Sequence, residues 1–330
     1  MQPTDPPEED IAAYQAGWNV PGAALEAVVR KATGASVGRA ERILEGHGNE
    51  VHGVTTADGQ EVIVRVAWRP GLAFERERWP AEAARQAGVP VPEILLIEHT
   101  ELDGHAVSFE VQRRAPGVSL YRLGPSLSDG DLARLIEGAG RLLAAVHSVR
   151  TAGRGPIGPG GQVDPSLAGH HEDSIHGMAE RTAFLLDLGV EPALVEGAAS
   201  VVASSAALLE QSPLCLVHGD WRITNVLTDG TSITGVVDWE GARGGDPAFD
   251  LAGSWDVWSN RGSAPSEALG VGYREAGGSM DEGFDRRLLV YRIAEQHDAV
   301  SHFIATGRPD LLDRALGQLR LLLRQAEEVL

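Results

Sequence analysis

The chain of 330 residues has one cysteine, Cys215, so no internal disulfide can form. Its neighbours Leu214 and Leu216 are apolar, which fits a buried thiol better than a nucleophile. No run reaches the roughly 18 to 20 apolar residues of a membrane span, and the opening MQPTDPPEED is acidic where a secretory signal is basic and then apolar. These absences exclude a membrane partner and give a cytoplasmic protein as the expectation. Basic residues are scarce: 28 Lys and Arg stand against 47 Asp and Glu, for a formal charge of -19. A surface of that sign repels phosphate backbones and excludes nucleic acid as a partner. Fixed-period repeats and low-complexity linkers are also missing, and the 43% of hydrophobic residues is that of a folded globule.

What is present changes period along the chain. Residues 22 to 33 space their apolar positions as a helix does. Short β-branched runs follow: ERILEG, EVHGVTT and EVIVRVAW, then EILLIEH and HAVSFEVQ, separated by turn signals such as ADGQ. Between the third and fourth lies FERERWPAEAARQAG, which reads as a helix despite Pro80 and stops at Gly88. After APGVSL the pattern is mainly helical, with a Gly- and Pro-rich loop over 151 to 170, helices near 174 to 188 and 192 to 210, and two β-like segments, NVLTDG and SITGVVDW. From Asp246 onward it is helical again. The expected architecture is α+β and bilobal: a small antiparallel sheet plus helix over residues 1–112, a larger helical lobe over 113–330, and a hinge near 112–117.

The segment LVHGDWRITNVLTDG, residues 216 to 230, crowds polar groups between apolar flanks. Asp, Asn, Thr and Gly there suit a solvated turn. Asp220 and Asn225, together with Asp238 in VVDWE, also form a set of oxygen-bearing side chains that suits Mg2+ in phosphoryl transfer. LVHGDWRITNVL and GVVDWEGARGGDPAFDLA resemble the aminoglycoside phosphotransferase family, relatives of protein kinases. The resemblance implies a protein-kinase-like fold. It implies that Asp220 orients the acceptor hydroxyl and takes its proton, and that Asn225 and Asp238 hold the metal. It further implies that His218 supports the loop backbone, and that Asp246 and Asp250 are structural.

A kinase also needs a phosphate-covering loop, a basic residue on the third strand and a helix glutamate. GHGN, with Gly46, Gly48 and Asn49, falls between the first two strands, although Gly-Asn pairs also mark plain turns. EVIVRV places Arg65 where protein kinases carry lysine, and arginine can grip phosphate with two prongs. Glu77 lies eleven residues before Gly88, the family's spacing, while Glu75 would suit the same charged helix. The crossover QRRAPG resembles the family's hinge, where main-chain groups around Arg113 and Ala115 would hold adenine. Such contacts leave the donor open as ATP or GTP. Arg222 stands where many protein kinases carry a lysine facing the transferred phosphate, and it reads equally as a surface ion pair.

Other clusters carry less. His170, His171, Glu172, Asp173 and His176 lack the paired spacing of a structural zinc site. RGPIGPGG has no following Lys-Ser or Lys-Thr and is not a Walker A loop. His147, ending an Ala- and Leu-rich helix, reads as a packed histidine with a partner. In LVYRIAEQHDAVSHF, residues Tyr291, Glu295, Asp298 and His302 share one arc at ~100° per residue. This is either the solvent face of an amphipathic helix or a stripe facing the acceptor, and in the second case two carboxylates and an aromatic ring imply a cationic or amine-bearing small molecule. The expected function is transfer of a nucleotide γ-phosphate to a small-molecule hydroxyl, with antibiotic modification favoured. A metabolic hydroxyl kinase, acting on a sugar, amino alcohol or hydroxyacyl substrate, is the first alternative. A nucleotide-binding pseudokinase is the second. Oligomeric state leaves no trace in the sequence.

Overall fold

The computed structural model describes residues 18–44, 48–68, 73–164, 175, 177–258 and 264–330. Helix α1 (Gly22–Thr33) precedes β1 (Val37–Ile43), β2 (Glu50–Thr56) and β3 (Glu61–Ala67); helix α2 (Ala73–Gln86) follows, then β4 (Ile94–Leu102) and β5 (His105–Arg113). The five strands form one antiparallel sheet in the order β1-β2-β3-β5-β4. Period-two alternation sorts its residues. Val62, Val64 and Val66 of β3, with Val107, Phe109 and Val111 of β5, are buried under Leu25, Val28 and Val29 of α1. The residues between them, Arg65 and Glu110 above all, face the opposite side and stand directly across from one another in the β3–β5 register. β1 begins several residues before ERILEG, because Val37 already pairs with Thr56.

Helix α2 continues through Pro80, whose ring removes one ladder donor without ending the helix. Its inner residues Ala81 and Ala84 join the core of the second lobe rather than that under α1. That second core is built on α3 (Asp129–His147), α4 (Met178–Asp187), α5 (Pro192–Ser204), α6 (Pro247–Trp258), α7 (Ala264–Glu275), α8 (Phe284–Ala305) and α9 (Pro309–Val329). Ser128 caps α3 by accepting the Asp131 N–H at 3.1 Å. The helix expected near 174 to 188 starts at Met178, and the one expected over 192 to 210 breaks at Ser205 before a short turn of helix, Ala206–Glu210. α3 and α7 touch backbone to backbone, for a Cβ on Gly140 would lie 2.2 Å from the Leu269 carbonyl oxygen.

Among the described residues six short strands lie between and beside the helices: β6 (Val118–Ser119), β7 (Gly155–Pro156), β8 (Cys215–Val217), β9 (Val226–Thr228), β10 (Ile233–Val236) and β11 (Arg243–Gly245). They make two small sheets, β10-β9-β6 and β7-β11-β8. The Gly- and Pro-rich segment read as a loop thus contributes a strand, β7, because its backbone completes the β11 edge. β6, five residues past β5, pairs with β9 and fixes the crossover to the hairpin between Asn225 and Asp238. Cys215 is buried in β8, and burial pushes its thiol well above the ordinary range. Among the described residues, no helix is long and apolar enough to cross a membrane.

Candidate active site

The second lobe's half of the cleft grows from the turn after β8. Gly219 adopts φ +85°, and a Cβ there would lie 2.1 Å from the Gly241 carbonyl oxygen, so the turn requires glycine. His218 is fully buried beside the Trp239 ring, with centroids 4.5 Å apart. Its Nδ1 accepts the Asp220 N–H at 3.2 Å and its Nε2 donates to the Val237 carbonyl at 3.1 Å, joining the Asp220 loop to the segment that ends in Asp238. That pattern assigns the Nε2–H tautomer. Asp250 holds the same loop from behind, accepting the N–H groups of His218 at 2.7 Å and Gly219 at 2.8 Å. Asp246 accepts from Arg287 Nε at 2.8 Å and from the Ala248 N–H at 3.0 Å, away from the cleft.

Asp220 itself is half-exposed. Its Oδ2 accepts from Asn225 Nδ2 at 2.8 Å, and the same amide nitrogen donates to the Asp220 carbonyl at 3.0 Å. Arg222 Nε pairs with Asp220 Oδ1, and Arg222 Nη2 stands 3.9 Å from Glu295 Oε2 on α8. Asp220, Arg222, Phe249 and Glu295 line one depression.

The first lobe's half is centred on Arg65, which is only 9% exposed. Its Nη1 lies 2.7 Å from Glu77 of α2 and 3.1 Å from Glu110 of β5; its Nη2 lies 3.4 Å from Asp238. The guanidinium carbon sits 4.9 Å from the centroid of the Phe74 ring. Burial pushes the Glu77 and Glu110 carboxyls upward against the pull of Arg65, while their combined charge keeps the guanidinium protonated. Glu77 also accepts the Trp239 N–H at 3.2 Å, so one carboxylate links α2 to the residue after Asp238.

Asp238 adopts φ 68° and ψ 66°, a left-handed conformation that few non-glycine residues hold and that turns its carboxylate toward Arg65. Carboxylate oxygens of Glu77, Asp238 and Glu240 lie within 4.8 Å of one another. Asn225 is brought to the same segment by the Val237 N–H, which donates to its carbonyl at 3.0 Å. With its amide nitrogen committed to Asp220, Asn225 has Oδ1 left as the side-chain oxygen that could ligate a metal. A carboxylate and an amide oxygen beside further carboxylates form a hard-oxygen set of the kind Mg2+ takes, so these residues fit the ion.

Other expected residues stand outside these two groups. The Arg113 N–H donates to the Glu93 carbonyl at 2.9 Å and its Nε to the Glu93 carboxylate at 3.1 Å, so this one of the main-chain groups expected around adenine is taken within the first lobe. Ala115 lies past the last ladder pair and packs against Gly235, where an added Cβ would come within 2.9 Å of the Ala115 Cβ. Gly48 and Asn49 lie just before β2; Gly46 falls outside the described residues, as do His170, His171, Glu172, Asp173 and His176. Glu75 is beside His99, not Arg65.

The polar stripe on α8 divides along its length. Tyr291 is 4% exposed with its ring edge-on to Phe249 at 5.5 Å, so it offers no face to an acceptor. Glu295 reaches the depression, Asp298 pairs with Arg181 of α4 at 3.1 Å, and His302 is exposed beside Phe303. The physical reason is that α8 packs along α6 first and against α4 and α9 further on, so a single arc passes from core to cleft to solvent. Glu110 and Glu240 received no role from the sequence, although a charge inside the apolar run HAVSFEVQ is itself a signal.

The profile of the phosphotransferase enzyme family, APH, matches residues 39–288. Hygromycin-B 4-O-kinase of Escherichia coli is 29% identical over 190 residues, 56% of this chain and 53% of that protein. The chain therefore aligns with about half the length of this curated relative. A thermostable mutant of aminoglycoside phosphotransferase APH(4)-Ia, solved in ternary complex with ADP and hygromycin B, has a TM-score of 0.67 at 23% identity and covers 91% of this chain and 98% of its own. The GDP complex of wild-type aminoglycoside 2'-phosphotransferase-IIIa has a TM-score of 0.59 at 14% identity, covering 93% and 99%. At those identities the solved structures speak for the kinase-like fold.

Proposed function

This chain belongs to the APH phosphotransferase enzyme family, and from that premise we propose that it moves the γ-phosphoryl group of ATP or GTP to a hydroxyl of a small, amine-bearing molecule of the aminoglycoside class. The observation that carries this reading is the pairing of Asp220 with Asn225 beside a depression that Glu295 and Arg222 border, with Asp238 of the same lobe reaching Arg65 of the facing one. Asp220 acts as general base: as the acceptor oxygen bonds to the γ-phosphorus, its proton passes to Asp220, and the bond to the β-phosphate oxygen breaks to leave a nucleoside diphosphate. Oδ1 of the half-exposed Asp220 carboxylate, paired with Arg222, is the atom the hydroxyl meets. Arg222 then turns to the transferred phosphoryl oxygens. Arg65, clamped by Glu77 and Glu110, grips the phosphates nearer the base. Asp238 and Asn225, with Glu240 close by, would hold Mg2+, which would supply positive charge to the phosphates when bound. Ala115 is the hinge position left to meet the purine, and Gly48 and Asn49 border the loop that covers the phosphates.

Glu295 supports a cationic acceptor, because its carboxylate borders the depression beside the base. Modification of an aminoglycoside in this way would protect the cell that carries it, and the kinship with hygromycin-B 4-O-kinase supports that role. The test is a nucleoside-diphosphate assay with ATP and with GTP across a panel of aminoglycosides that includes hygromycin B, followed by mass measurement of the acceptor. One added phosphoryl group on an aminoglycoside is the expected result. A protein that binds nucleotide yet adds phosphate to none of the panel would sink the reading.

A further inference from the structure

Behind the Asp220 loop a chain of polar groups crosses the apolar core of the second lobe. Asp250 Oδ2 accepts the His218 N–H at 2.7 Å and Oδ1 accepts the Gly219 N–H at 2.8 Å. A third donor comes from the last residue of α3: His147 Nε2 lies 3.1 Å from Asp250 Oδ2. On the far side of that imidazole, Nδ1 lies 2.9 Å from the Tyr273 hydroxyl of α7. The Asp250 carboxylate can only accept, so Nε2 carries the proton and the Tyr273 O–H is directed at the Nδ1 lone pair. Each group then has one role. Tyr273 donates to Nδ1, Nε2–H donates to Asp250, and Asp250 receives the two amides that lead to Asp220. His147, Asp250 and Tyr273 are 7%, 2% and 0% exposed.

We propose that His147 and Tyr273 are a positioning pair for the phosphotransfer reaction: through Asp250 they set the backbone of His218 and Gly219 and thereby the direction of the Asp220 carboxylate. Two amides alone restrain the Asp250 carboxylate along one edge. The His147 proton adds a bond on Oδ2 from a different direction and stops the carboxylate from rotating. Tyr273 keeps that proton on Nε2, because an imidazole protonated on Nδ1 would turn its donor to the Tyr273 hydroxyl and withdraw it from Asp250. Apolar side chains of equal volume would fill this part of the core without desolvating three polar groups. The use of the network is therefore at its end, on the loop that carries the base. The proposal depends on Asp220 being the base of the reaction described above.

Three variants test it, with amide hydrogen exchange as a measurement independent of turnover. Tyr273→Phe deletes one oxygen and keeps the ring, His147→Leu deletes both imidazole bonds, and His147→Gln keeps one donor and one acceptor. His147→Leu should lower kcat by roughly tenfold to a hundredfold and Tyr273→Phe by less, with both Michaelis constants within about twofold of wild type. His147→Gln should recover most of the loss. Amide exchange over residues 216–222 should quicken in His147→Leu and Tyr273→Phe while the rest of the second lobe keeps its protection. Should His147→Leu not fold, Tyr273→Phe carries the same test. Unchanged kcat per folded molecule, a loss that resides in a Michaelis constant, or unaltered exchange over 216–222 would each overturn the positioning role. If the wild-type protein phosphorylates no acceptor, the proposed function fails by itself, and the exchange measurement still decides whether His147 and Tyr273 hold the loop.

Discussion

Arg65 and Arg222 are the two arginines of the cleft, one in each lobe, and they are held in opposite ways. Arg65 is buried, with Glu77, Glu110 and Asp238 on its guanidinium and Phe74 beneath it. Arg222 has a side chain 46% exposed, bound to the half-exposed carboxylate of Asp220 and at longer range to Glu295. Three carboxylates around one buried guanidinium make an arrangement that cannot be rearranged cheaply, because any bond lost leaves a charge stranded at low dielectric. A pair open to water costs little to break. The difference suits a reaction in which one arginine is a fixed seat for the nucleotide and the other must leave the base when the acceptor arrives.

The largest effect expected on the Arg222 side comes from its partner. Asp220→Asn should cut turnover by about a hundredfold to ten-thousandfold, with nucleotide affinity, measured by calorimetry, close to wild type. Turnover near the wild-type rate would remove Asp220 as the base. On the buried side, Arg65→Ala leaves Glu77 and Glu110 without their counter-charge and should destabilise the fold by about 3–5 kcal/mol, read from denaturant unfolding, besides weakening nucleotide binding. Arg65→Lys keeps the charge but not the two-pronged geometry and should fall between wild type and alanine in both measurements. Equal stability for all three would mean that the buried cluster is not what seats Arg65.

The two sides also differ in how far they could be read from the sequence. Val62, Val64 and Val66 alternate with exposed Glu61, half-buried Ile63 and charged Arg65, so the strand that presents Arg65 is visible in EVIVRV. Asp220 and Asn225 are five positions apart on one loop, and their bond is local. What joins Arg65 to Glu110 is a strand register across 45 positions, and no local pattern encodes it. The bond between His147 and Tyr273 spans 126 positions and depends on the close approach of α3 and α7. The α8 stripe fails for a related reason. Helical spacing puts Tyr291, Glu295, Asp298 and His302 on one arc, but neighbouring helices decide which of them meets the cleft. Tyr291 is covered by α6 and only Glu295 reaches the depression beside Asp220. Backbone roles are the least legible. That Arg113 spends its amide on Glu93 follows from where β5 meets the turn before β4, and the side-chain sequence QRRAPG carries no sign of it.

The exposed pair itself can be tested by removing Arg222. Arg222→Ala should change folding stability by no more than about 1 kcal/mol, far less than Arg65→Ala, while turnover falls by about tenfold through loss of a positive group beside the transferred phosphoryl. A stability loss as large as that of Arg65→Ala would show that the two arginines are held alike, and the contrast between a fixed seat and a movable one would be lost.

The smallest expected effect lies at the outer edge of the Arg222 pair. Glu295 stands 3.9 Å from Arg222 Nη2, at the limit of an ion pair, and its side chain is 20% exposed on the wall of the depression beside Asp220. Once the acceptor hydroxyl displaces Arg222 from Asp220, an ammonium group on the same molecule can take up Glu295. A contact of that kind in partly solvated surroundings is worth about 0.5–1 kcal/mol, which corresponds to roughly a two- to fivefold change in affinity. Glu295→Gln should therefore raise the Michaelis constant for an amine-bearing acceptor by that factor and leave the constant for nucleotide unchanged. Asp298→Asn, whose carboxylate is engaged by Arg181 on α4, should leave both constants unchanged. The Glu295 effect should shrink as ionic strength rises, since an exposed charge contact is screened within about 8 Å at physiological salt. If Glu295→Gln and wild type share one acceptor constant at low salt, the depression does not select for positive charge, and the hydroxyl that Asp220 serves belongs to a neutral molecule.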